Sequence, residues 1–203
     1  MLPDEEARAI PGRFLHLVRP GDWDKPEAYT ESLAWWSDGG AEPLFEYADG
    51  PSGPPGATPA ARRFADFMDL ATTASDAVTA MQDASSSAMR EEAGLFVATA
   101  RKAAPVAALY HGLGVRGAEL LPGWFGDFLL DADEVAAALP RAEQALDLSG
   151  ARRSEVLARI TDWMTVMGDA PDFDAAELVE GPLRVLRRAA AAKSGAGAFS
   201  RRH

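Results

Sequence analysis

The chain has no cysteine in its 203 residues. That absence excludes disulfides, thiolate zinc sites, iron–sulfur clusters and cysteine catalysis together. Histidine is scarce as well: His16, His111 and His203 are the only imidazoles. Neither an H-E-x-x-H nor a paired Glu-x-x-His occurs, so zincin and di-iron bundle chemistry have no signature. The acidic stretch Asp169, Asp172, Asp174 and Glu177 does not match a calcium loop, because Pro171 interrupts it and it is too short. Acids at the start of a helix explain it better. No metal and no cofactor is expected.

Asparagine is missing, and three lysines stand against seventeen arginines. With alanine so frequent, this composition points to GC-rich coding, as in a high-GC bacterium. No apolar run approaches the roughly 18 residues of a membrane span. The first residues, MLPDEEARAIPGRF, place three acids before the first arginine. A signal peptide has the opposite pattern. A cytoplasmic location with no membrane association is the resulting expectation.

What is present is ordinary core material. Hydrophobic residues make up 47% of the chain and charged residues 25%, the balance of a soluble globular domain. The length suits a single domain. Net charge is −11, unevenly spread: residues 181–203 hold six bases and no acid, so residues 1–180 carry −17. An acidic body repels phosphate backbones, which argues against general nucleic-acid binding. It suits a basic protein partner.

The expected fold is mainly α: a single-domain helical bundle of about six or seven helices under a small irregular or β-containing N-terminal layer. Residues 1–57 form that layer, 58–193 the helical core, and 194–203 a flexible basic tail. In the layer, Phe14–Val18 alternates like a strand, PEAYTESLAWW reads as a helix, and 50–59, GPSGPPGATP, reads as a loop. Thr58 and Pro59 then open a helix whose stripe runs Phe64, Phe67, Met68, Ala71, Ala74, Val78, Met81. A second helix follows Ser85–Ser87 and is ended or kinked by Pro105. Asp131 with Glu134 resembles a capping box, and Asp174 with Glu177 repeats the pattern. Ser149 or Gly150 begins the helix with the clearest stripe, from Val156 to Met167. Pro140 is expected to bend its helix, and Gly181-Pro182 to break or kink the last one.

The stretch YHGLGVRGAELLPGWFGDF, residues 110–128, concentrates the candidate sites. Gly112, Gly114 and Gly117 spell G-x-G-x-x-G, with Asp133 roughly 20 residues on, as in a dinucleotide site. The context fails: Pro122 cuts the following segment, the preceding chain reads as helix, and no alternating βα pattern exists. The glycines read instead as a helix stop at Gly112 or Gly114. His111, beside that stop, suits a helix-end donor. As a catalytic base it would need an orienting carboxylate such as Asp127. Trp124 and Phe125, between glycines, are either a lid on the core or a binding face rimmed by Asp127 and Asp131. Trp35 and Trp36 pose the same choice, since neighbours on a helix point about 100° apart.

Two functions are compatible with these features. The first is a non-enzymatic, acidic cytoplasmic binding protein that engages a basic protein partner, a toxin antagonist of the immunity type being one form. Its contact residues would be Trp124, Phe125, Asp127, Asp131, Trp35 and Trp36. The alternative is a small-molecule enzyme or ligand-binding protein with an interhelical pocket, using His111 and Asp127 as acid and base.

Overall fold

A computed structural model describes residues 31, 34, 35, 38, 43–47, 55–72, 96, 98, 104–123, 128–167 and 174–198. Five helices stand among them: α1 Pro59–Thr72, α2 Pro105–Ala118, α3 Ala132–Leu146, α4 Gly150–Val166 and α5 Ala175–Ala192. The architecture is mainly helical, as the periodicity indicates, but with five described helices rather than six or seven. The strand expected at Phe14–Val18 lies outside the described residues, as does the helix expected between Ser85 and Pro105 except at Phe96 and Ala98, which are not helical. Glu31, Ala34 and Trp35 have helical backbone, in the segment where a helix is expected.

Thr58 opens α1 from two sides. Its hydroxyl accepts from the Ala61 N–H at 3.3 Å and donates to the Pro43 carbonyl at 2.8 Å. One side chain thereby caps a helix and ties it to the segment before Phe45. Phe64 and Phe67, one turn apart, are fully buried. Pro105 begins α2 at the first position, where its missing N–H costs nothing; the residues just before it, 99–103, lie outside the described residues. Asp131 caps α3 with both halves of the capping box in place: its carboxylate accepts from the Glu134 N–H at 3.0 Å, and Glu134 accepts from the Asp131 N–H at 2.9 Å. Asp174 caps α5 by accepting from the Glu177 N–H at 2.8 Å. The last helix is not broken at Gly181-Pro182 but runs through it to Ala192. Gly181 makes room instead: a Cβ there would stand 2.3 Å from Phe96 Cδ2.

Two short antiparallel ladders complete the fold. β1, Phe45–Tyr47, pairs with β2, Pro55–Ala57. The second half of the expected proline-glycine loop is thus a strand, with Pro55 at its first residue, a position a proline tolerates. β3, Phe128–Leu130, pairs with β4, Ala196–Ala198. The small-residue end of the chain therefore contributes a strand that its composition does not announce. Lys193, in the left-handed conformation at φ 50 and ψ 48, turns the chain out of α5 toward it.

The helices pack mainly in two pairs, α2 with α4 and α3 with α5. The larger core gathers Phe64, Phe67, Leu113, Val156, Ile160 and Trp163. A smaller one joins Leu130, Val135, Leu186 and Ala196, between α3, α5 and the β3–β4 ladder. No described helix is long and apolar enough to cross a membrane.

Candidate functional site

The first two motif glycines have separate structural reasons. α2 approaches α4 so closely at Gly112 that a Cβ would meet Ile160 Cγ1 at 2.6 Å and the Val156 carbonyl at 3.2 Å. Gly114 breaks α2 with φ 70 and ψ 172, a conformation open essentially to glycine alone. The helix stop expected here is real, but the chain turns helical again as far as Ala118. Arg152 donates to the Leu113 carbonyl at 2.7 Å, next to the break. The glycines follow helical residues of α2, where a dinucleotide loop follows a strand.

The close α2–α4 approach carries His111 into the core. Its ring is 6% exposed. Phe45 from β1 meets it edge-on at 5.2 Å, Trp163 from α4 lies 5.5 Å away, and Phe64 from α1 lies 6.0 Å away. Phe64 and Trp163 pack edge to face at 5.2 Å, closing the wall. His111 is therefore a buried ring in an aromatic box rather than a donor to helix-end carbonyls. Burial, helped by the nearby Arg159 guanidinium, lowers its pKa from 6.5 to about 3. Arg159 is itself lowered, first by burial, while Glu155 at 3.7 Å acts in the other direction. The indole N–H of Trp163 is buried without a hydrogen-bond partner among the described residues.

At the outer edge of this cluster, Tyr47 on β1 donates to the Asp162 carboxylate on α4. That bond is the main cause of the raised Tyr47 pKa; the remaining burial adds to it. The hydrogen bond fastens the β1–β2 ladder over the residue that precedes Trp163. Sequence reading identified His111 but missed Phe45, Arg159, Tyr47 and Asp162. Only the placement of β1 on α4 unites them, and three residues of strand leave no periodic trace.

The other expected contact residues are dispersed. Trp35 is half-buried and packs on the larger core, with the Arg63 guanidinium 5.0 Å over its ring. Of the two readings for the Trp35-Trp36 pair, Trp35 takes the core edge. Asp131 is buried, its carboxylate engaged in capping α3, and Asp133 is the exposed acid beside it. Trp36, Trp124, Phe125 and Asp127 lie outside the described residues. Among the described residues, no group of three or more acidic or imidazole side chains is arranged to hold a metal ion. Compared with known proteins, the chain matches no family model, no curated protein and no solved structure.

Proposed function

We propose that this chain is a non-enzymatic binding protein whose acidic body engages a basic protein partner, a toxin antagonist of the immunity type being one form. The observation that carries this reading is the charge distribution: −17 over residues 1–180. A surface field of one sign speeds capture of an oppositely charged protein and sets its orientation. The contact residues proposed are Trp124, Phe125 and Asp127, with Asp133 as the neighbouring exposed acid. The enzymatic alternative requires His111 to take up a proton near neutral pH. A ring walled in by Phe45, Phe64 and Trp163, with a pKa of about 3, does so poorly.

The test is affinity capture from the native host with the full chain as bait, at 0.05 and about 0.5 M salt, a range chosen to screen surface charge. A basic protein should be retained at low salt and released at high salt. It should be lost from a Trp124→Ala/Asp127→Lys/Asp133→Lys bait. If the same proteins are retained by both baits, these residues are not the interface. If none retained is basic, the reading fails.

A further inference from the structure

A second surface has the opposite charge. An open groove of ≈ 530 Å³ lies between α5 and the turn that joins α3 to α4. Its floor is apolar, made by Leu148, Val179 and Leu183. Three ion pairs, made by two arginines, frame it. Arg187 on α5 reaches Glu143 at 2.9 Å and Asp147 at 2.6 Å, and Arg153 on α4 reaches Glu180 at 2.7 Å. Those pairs use up the acids at the rim. Arg184 and Arg188 remain, both exposed, with no ion-pair partner among the described residues. They are one helical turn apart on α5, so their guanidinium groups stand on one face of the helix.

We propose that this groove binds an acidic segment of a partner protein, with carboxylates on Arg184 and Arg188 and an apolar side chain on the Leu148–Leu183 floor. Charge complementarity selects the occupant. In a chain of net charge −11, two uncompensated arginines over an apolar floor form a local field of the opposite sign. An arginine fork matches a carboxylate in a bidentate manner. The apolar floor favours a ligand with a hydrophobic side chain over a bare anion. The acidic body disfavours a nucleic-acid backbone. The lining runs along α5 from Val179 to Ala191, about 18 Å at the helical rise per residue, which suits two or three turns of a helix or a short extended strand. This surface does not depend on the basic-partner face, and different residues form it.

The experiment uses the full chain and two fluorescein-labelled peptides, Ac-EELLAELLEE-NH2 and the same peptide with every Glu replaced by Lys. Anisotropy at low salt should show the acidic peptide binding and the lysine peptide at least tenfold weaker. Arg184→Glu/Arg188→Glu should weaken the acidic peptide at least tenfold. Arg184→Gln/Arg188→Gln, which removes charge without reversing it, should weaken it several-fold with the helical circular dichroism unchanged. Arg62→Glu, an exposed arginine on α1, should leave it unaltered. Three results overturn the proposal: no binding of the acidic peptide to the wild type at millimolar concentration, binding that survives both double variants, or equal binding of the two peptides. Displacement by inorganic phosphate or by a single-stranded oligonucleotide beyond that by sodium chloride of equal ionic strength also overturns it, in favour of a phosphate ligand. Capture of a basic partner by the Arg184/Arg188 variants stays intact in every case, which separates this surface from the first.

Discussion

The imidazole of His111 lies 5.5 Å from the indole of Trp163, and the two rings join a β-strand, α1, α2 and α4 through Phe45 and Phe64. The Trp163 N–H is buried with no partner among the described residues, which costs roughly 1–3 kcal/mol. His111 is held in the form that carries no charge. Aromatic edge contacts offset part of this, at about 0.5–1.5 kcal/mol each. The box thus ties four elements together and leaves the fold sensitive to acid.

That sensitivity has a definite sign. Folded His111 titrates at about 3 and the free side chain at 6.5. Between those values the unfolded chain holds a proton that the folded chain does not, so stability rises with pH. The contribution is complete above pH 6.5 and declines as pH falls toward 3. From pH 7 to pH 5 the loss is about 2 kcal/mol by linkage. Urea unfolding at the two pH values should show it, and His111→Phe should remove most of the difference. An unchanged difference in the variant would mean that the ring is not the acid-sensitive group.

Two glycines of α2 separate two mechanisms. Gly112→Ala adds a methyl group 2.6 Å from Ile160 Cγ1. Overpacking should cost about 1–3 kcal/mol, outweighing the roughly 1 kcal/mol that alanine gains in a helix. Ile160→Ala in the same chain should recover part of that, as a favourable coupling in a double-mutant cycle. Gly114→Ala meets nothing closer than Arg159 at 4.0 Å. It should still cost about 1–3 kcal/mol, through its backbone conformation alone, and Ile160→Ala should not rescue it.

These two cases mark what was legible in the chain. Caps were, because Thr58, Asp131 and Asp174 act on backbone three residues away. The stripe of α4 was, because Val156, Ile160, Trp163 and Met164 repeat with the helix and are all buried. What the positions do was not legible: Gly112 is explained by Ile160 across a helix crossing, and His111 by Phe45 from a distant strand. Pro182 illustrates the converse, where tertiary burial of Leu178, Leu183 and Leu186 carries a helix through a residue that local rules treat as a break. The β3–β4 pairing joins segments about 70 residues apart, a non-local contact with no local code.

Lys193 offers a stabilising change. It is the described non-glycine residue with positive φ, at 50°. Its N–H and that of Ser194 satisfy the final carbonyls of α5. Glycine adopts this conformation without the Cβ penalty. Lys193→Gly should therefore raise stability by about 0.5–1 kcal/mol, seen as a higher urea midpoint with an unchanged slope. A lower midpoint would mean that the lysine side chain, not the backbone turn, is what the position requires.

The capping box of α3 yields the last prediction. Asp131→Ala removes the acceptor for the Glu134 N–H in a part-buried bond and should cost about 1–2 kcal/mol. Glu134→Ala breaks only the reciprocal bond to the Asp131 N–H and should cost less, about 0.5–1 kcal/mol. Because the two bonds close one ring of contacts, the double variant should cost less than the sum of the singles. The readout that separates a local cap from a wider role is amide exchange. Protection should fall first at residues 132–135 and, through Leu130, in the β3–β4 ladder, while α2 and α4 keep theirs. Uniform loss of protection across all five helices would show instead that Asp131 supports the whole core and not one helix end.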